Sequence, residues 1–143
     1  MFLKNSSETI SFGKDFAKEL KPKSILLLKG PIGAGKTSFV QGIGQGLSIK
    51  ENITSPTFAL SHHYHSGLIH LIHMDLYRIK DSFSAKQLFL EEEEEFETNN
   101  GILIIEWPEL ILPILEIYWM IEISYGKEFG RNFQISEPKV FNN

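Results

Sequence analysis

Residues 30–37 read Gly30-Pro31-Ile32-Gly33-Ala34-Gly35-Lys36-Thr37, the G-x-x-x-x-G-K-[ST] spacing of a phosphate-binding loop. Its glycines let the backbone double back so that successive N–H groups face phosphate oxygens at the positive end of the following helix. The Lys36 ammonium is then placed to reach the β- and γ-phosphates. The Thr37 hydroxyl, one residue into the helix, is placed to ligate a Mg²⁺ bridging them. Gly30, Pro31, Ile32, Gly33, Ala34, Gly35, Lys36, Thr37 and Ser38 are therefore the candidate nucleotide-binding residues. The flanks distinguish the loop from a chance glycine turn. Ile25-Leu26-Leu27-Leu28 reads as a strand buried on both faces, and Ser38-Phe39-Val40 continues into a helix pattern.

In open α/β sheets, ligands bind beyond the carboxyl ends of the parallel strands, and two acids end strand patterns in this chain. Ile102-Leu103-Ile104-Ile105 leads into Glu106, similar to a Walker B strand with glutamate in place of aspartate, and the run from Leu68 ends at Asp75. Either carboxylate suits Mg²⁺ or the orientation of an attacking water, and the sequence leaves that division of roles open. Thr57, within Thr54-Ser55-Pro56-Thr57-Phe58, is a candidate switch residue whose hydroxyl would close onto Mg²⁺ or the γ-phosphate. All five histidines fall between positions 62 and 73. Strand alternation puts His73 with Asp75 on one face and His70 on the other, so His70 and His73 cannot converge on a metal. The histidines read as core or solvated groups.

These residues need a scaffold. Ser6 or Ser7 would cap a first helix with Ile10, Phe16, Ala17 and Leu20 on one face, ending near Lys21-Pro22. A second helix is predicted from Lys36 to about Leu47; its Gly42, Gly44 and Gly46 either weaken it or admit another backbone closely. Strands over 58–64 and 68–75, joined at His65-Ser66-Gly67, form a hairpin. Residues 84–96 predict a helix despite like charges four apart in the run Glu91 to Glu95. That run reads as a solvated acidic face, with docking of a basic partner as the sharper alternative. Short strands over 117–125 and 131–136 would add antiparallel at one edge.

Composition narrows the function classes. With 143 residues there is room for one core and none for tandem motor domains. A net charge of −4 provides no broad basic surface, which argues against unaided high-affinity binding of DNA or RNA. Cysteine is absent, which removes disulfides and thiolate zinc sites and fits a cytoplasmic protein. No leader-like segment or membrane-spanning run is expected. Without N-K-x-D and D-x-x-G motifs the chain does not read as a Ras-type GTPase, so adenine is the expected base. A small-molecule kinase, the alternative enzyme, would normally close an arginine-bearing lid, and Arg78 and Arg131 are the only arginines. A nucleotide-dependent binding module is the non-enzymatic reading.

The ordered set of Gly35-Lys36-Thr37, Ser55-Pro56-Thr57-Phe58, His73-Met74-Asp75-Leu76-Tyr77-Arg78, Glu106-Trp107-Pro108-Glu109 and Gly130-Arg131 resembles the bacterial TsaE (YjeE) family over nearly the whole length. Pro31 and Ile32 stand where that family's loop carries aspartate and leucine, which removes a carboxylate but leaves the backbone cradle. The resemblance implies a single-domain α/β P-loop NTPase fold over 1–143, with a mixed parallel and antiparallel central sheet flanked by helices. It also implies a slow ATPase using ATP and Mg²⁺, an accessory subunit for threonylcarbamoyladenosine modification of tRNA next to the anticodon. TsaD and TsaB would be its partners, with tRNA contacted only indirectly. Lys36, Glu106 and Asp75 would be catalytic, Thr37 and Glu106 would hold the metal, and Trp107 would lie near the nucleotide, with an ordinary core aromatic as the competing reading.

Overall fold

The apolar runs become the middle of one sheet because they are hydrophobic on both faces. The computed structural model describes residues 1–139; residues 140–143 of the domain expected over 1–143 lie outside the described residues. Strands β4 (Leu71–Asp75) and β5 (Ile102–Glu106) are buried at every position, and β2 (Ile25–Lys29) at its central three. Helices α1 (Ser6–Phe16) and α2 (Lys36–Gly46) cover one face and α3 (Ser82–Thr98) the other. With β1 (Phe2–Leu3), β3 (Ser61–Tyr64), β6 (Trp119–Tyr125) and β7 (Arg131–Ser136), the sheet has seven strands in the order β1-β7-β6-β2-β5-β4-β3. The pairs β6–β2, β2–β5 and β5–β4 are parallel, whereas β1–β7, β7–β6 and β3–β4 are antiparallel. This is the expected mixed α/β P-loop architecture. Among the described residues no helix is long and apolar enough to cross a membrane.

Several local expectations are corrected. Strand β6 is not an antiparallel edge addition but lies inside the sheet, parallel to β2. Residues 107–118, with 3₁₀ turns at Pro108–Leu110 and Leu112–Ile114, carry the chain across so that it re-enters in the same direction as β2. Asn5, rather than Ser6 or Ser7, caps α1: its side chain accepts from the Glu8 N–H at 2.9 Å. Helix α3 begins at Ser82, ahead of the expected 84, because Asp81 accepts from the Ser84 N–H at 2.8 Å. The hairpin forms with Ser61 opposite Met74 and Tyr64 opposite Leu71, but both strands start later than predicted. Phe58 and Leu68, the apolar residues expected to open them, are 84% and 77% exposed; the strand starts therefore follow pairing rather than apolar character.

The two faces hold separate cores. Beneath α1 and α2, the Phe39 ring packs 5.6 Å from Phe12, 5.5 Å from Phe16 and 5.2 Å from Phe133, in the tilted and offset geometries that aromatic quadrupoles favour. Beneath α3, Phe89 and Phe96 pack with Leu27, Ile72, Leu103 and Ile105. The glycines of α2 admit close packing. A Cβ on Gly42 would strike the Ile10 carbonyl oxygen and reach Gly13 Cα at 3.0 Å, so α1 and α2 meet backbone to backbone. Substituting Gly42→Ala should therefore destabilise the protein, despite alanine's better helix propensity, by about 1–3 kcal/mol. The urea unfolding midpoint measures this, and an unchanged or raised midpoint would contradict the close approach.

Candidate active site

The loop between β2 and α2 is held open by its glycines and by contacts from distant strands. Gly33 and Gly35 adopt φ of 80° and 111°, left-handed conformations that cost a residue with a Cβ. Gly35, the N-cap of α2, is also approached by Arg131, whose Nη1 would lie 2.7 Å from an added Cβ. The Tyr125 hydroxyl donates to the Ile32 carbonyl, tying the loop tip to the end of β6. Lys36 is 6% exposed. Its ammonium donates to the Gly30 carbonyl and, at 3.4 Å, to that of Pro31, and it stands 4.3 Å from the centre of the Trp107 ring. Burial lowers its pKa, opposed by the negative charges of Glu106, Asp75 and Glu109. Thr37 and Ser38 follow in the first turn of α2, whose N–H groups have no intrahelical acceptor.

Parallel register brings the two acids to this loop. Glu106 on β5 pairs with Leu28 on β2 and with Asp75 on β4, so both carboxylates sit at strand ends two residues short of Gly30. The expected strand faces are observed. His73, on the same face as Asp75, is fully buried, and its Nε2–H donates to Glu106 Oε2 at 2.6 Å. Glu106 is 3% exposed, and among the described residues its other oxygen has no protein partner. Asp75 has both oxygens engaged: Thr57 Oγ1 donates to Oδ2 at 2.7 Å, and the Tyr77 N–H donates to Oδ1 at 2.8 Å. The candidate switch residue is thus docked on one of the two candidate acids.

These groups share one cleft of about 420 Å³, within the range of about 300–1,000 Å³ usual for small-ligand sites. Ile32, Gly33, Gly35, Lys36, Thr37, Ser38, Thr57, Asp75, Glu106 and Trp107 all line it, whereas Gly30, Pro31 and Ala34 of the expected set do not. Trp107 adopts a left-handed φ of 56°, packs 4.9 Å from the Tyr77 ring and is only partly buried against the α3-side core. It serves as cleft wall and core edge together. Ser6, Phe58, Tyr77 and Arg131 also line the cleft but carried no site role from sequence. Arg131 was the findable one: it is one of two arginines, and a guanidinium fork suits phosphate. Its Nη1 donates to Thr9 Oγ1 at 3.3 Å, while its buried Nε has no hydrogen-bond partner among the described residues. The remaining arginine, Arg78, lies 5.0 Å over the Phe58 ring. The cleft fits the expected ligands: loop N–H groups, Lys36 and Arg131 suit a polyphosphate, and the all-oxygen set of Thr37, Asp75 and Glu106 suits Mg²⁺.

A polyphosphate nucleotide added to the protein should change its tryptophan fluorescence through Trp107, because Trp119 does not line the cleft but packs edge-on against Phe16 at 5.0 Å, partly buried against the core. The change should vanish in Trp107→Phe and persist in Trp119→Phe; persistence in the first variant would remove Trp107 from the cleft wall.

Comparisons with known proteins agree with this geometry. The family model described as threonylcarbamoyl adenosine biosynthesis protein TsaE matches residues 3–133. The chain is 40% identical over 137 residues to the tRNA threonylcarbamoyladenosine biosynthesis protein TsaE of a Nostoc species, covering 95% of this chain and 84% of that one. It is 38% identical over 107 residues to the protein of the same name from Bacillus subtilis, covering 75% and 65%. The crystal structure of Bacillus subtilis YdiB superposes with a TM-score of 0.76 at 29% identity, covering 93% of this chain and 80% of that one. A phosphate loop and two acids in one cleft, with family similarity running from the first strand to the last, make this chain a member of the TsaE family.

Proposed function

We propose that this protein binds ATP with Mg²⁺ in the cleft and hydrolyses it, as an accessory ATPase for threonylcarbamoyladenosine modification of tRNA. It acts with TsaB and TsaD in the cytoplasm and touches tRNA only through them. The observation that carries the reading is the meeting of Lys36 and Thr37 with Asp75 and Glu106 in one cleft, within a chain of the TsaE family. The net charge of −4 suits a subunit that leaves tRNA binding to others.

The residues divide the work as follows. Loop N–H groups and the start of α2 receive the phosphates, and Lys36 exchanges its contacts with the Gly30 and Pro31 carbonyls for phosphate oxygens. Thr37 and Glu106 hold Mg²⁺, with His73 fixing the Glu106 carboxylate from behind. When bound, the ion neutralises negative charge on the phosphate oxygens. Asp75 is shielded by Thr57. Movement of Thr57 toward the nucleotide frees Asp75 to orient the attacking water and accept its proton as the new P–O bond forms at the γ-phosphorus and the bond to the β-phosphate oxygen breaks, releasing ADP. Arg131 adds positive charge beside the loop.

In this reading Lys36→Ala lowers ATP turnover by at least about 100-fold and weakens ATP binding with little loss of fold. Glu106→Gln and Asp75→Asn each slow turnover on a similar scale, but only Glu106→Gln raises the Mg²⁺ concentration required. Steady-state phosphate release measured against Mg²⁺ separates the two acids. The cellular test is the threonylcarbamoyladenosine content of bulk tRNA by nucleoside mass spectrometry, after depletion and after rescue with wild type or Lys36→Ala. Loss restored by wild type alone is expected. Unchanged content, or transfer of the γ-phosphate to a metabolite instead of water, would overturn the reading in favour of a small-molecule kinase.

A further inference from the structure

Away from the cleft, the β3–β4 hairpin gathers three of the five histidines on the face covered by α3. His63 on β3 pairs with Ile72 on β4, and His70 precedes Ile72 by two residues, so both imidazoles lie on the side of Ile72 and the α3 core. His65, in the turn after β3, brings its ring to 4.0 Å from His70 and 6.1 Å from His63, and His63 lies 5.6 Å from His70. One ring nitrogen from each lies within 4.8 Å of the others. The sequence argument against a metal weighed His70 with His73, which do face apart; hairpin closure supplies a different trio. From α3, Glu92 meets the group at His63: Nε2–H of His63 donates to its Oε2 at 2.5 Å, and Ser61 Oγ donates to its Oε1 at 2.9 Å.

One further feature points to a ligand. Among the described residues His70 Nε2 is buried without a hydrogen-bond partner, a state that native proteins seldom leave uncompensated. Three imidazoles with a carboxylate beside them make a nitrogen-rich donor set, which suits zinc(II) rather than an oxygen-seeking ion such as Mg²⁺. Donors around a tetrahedral ion at about 2.0–2.1 Å stand about 3.3 Å apart. Binding an ion would therefore require side-chain rotations that draw the histidine nitrogens together from within 4.8 Å and part His63 from Glu92.

We propose that His63, His65 and His70, with Glu92 as the fourth donor, bind one zinc(II) ion that clips the β3–β4 hairpin to α3. The site is separate from the cleft: Asp75 lies five residues beyond His70, about 16 Å along a strand rising 3.3 Å per residue. The clip uses one acid of the Glu91 to Glu95 run and steadies β4, whose far end carries His73 and Asp75.

The test titrates full-length protein, stripped with chelator and free of nucleotide and Mg²⁺, with zinc(II) against a chromogenic competitor, and separately with cobalt(II). Saturation at one zinc per chain and the intense visible absorption of four-coordinate cobalt are expected. His65→Gln, an exposed change that spares the fold, and His70→Gln should each weaken zinc binding by about 10-fold or more. His62→Gln, on the opposite side of β3, should leave it unchanged. Absence of saturable binding, wild-type affinity in His65→Gln, or zinc binding lost with Glu106→Gln but kept in His65→Gln would overturn the site. The last result would put the ion in the cleft.

Discussion

The parallel pairing of β4, β5 and β2 is the constraint on which the site depends. Glu106 stands opposite Leu28 on one side and Asp75 on the other, so both acids reach the sheet edge where the chain leaves β2 for the phosphate loop. A slip of one residue in either pairing would turn a carboxylate to the opposite face of the sheet and carry it into the apolar core beneath α3. The all-buried runs of β4 and β5 oppose such a slip.

Holding ionisable groups at the end of an apolar sheet is costly, and the neighbours offset that cost unevenly. Lys36, His73, Asp75 and Glu106 are all buried. Asp75 is satisfied by Thr57 and by the Tyr77 N–H, and Glu106 receives a proton donor from His73 on one oxygen. Lys36 makes do with loop carbonyls and the face of Trp107, contacts that anionic phosphate oxygens would improve upon. The left-handed backbone of Trp107 adds strain of order 1–3 kcal/mol beside the same cleft. Desolvation, incomplete pairing and strain therefore collect where a ligand is expected, and the aromatic core around Phe39 and the α3 core lie behind them.

The same hairpin organises both ends of β4. At its carboxyl end Thr57, in the segment leading into β3, reaches Asp75. At its amino end His63 and His65 reach His70 while Glu92 meets β3. The acidic run on α3 is thus not wholly solvent-facing, because Glu92 is committed to Ser61 and His63. Anything that stiffens the hairpin acts on the strand that presents His73 and Asp75.

Local chemistry determined much of this protein from sequence alone. The glycine spacing, Lys36 and Thr37 specify a phosphate loop because backbone conformation and charge there are properties of a few adjacent residues. The uninterrupted apolar runs Ile25 to Leu28 and Ile102 to Ile105 specify buried parallel strands because both their faces must avoid water. Tertiary structure decided what depends on partners distant in the chain. It put β6 inside the sheet although its alternating pattern also suits an edge. It started β3 and β4 where pairing begins rather than at exposed Phe58 and Leu68. It brought Arg131 beside Gly35, docked Thr57 on Asp75, and joined His63, His65 and His70, which strand alternation alone could not pair. Periodicity tells which face of its own strand a residue takes; only the packed sheet decides which residues of other elements that face meets.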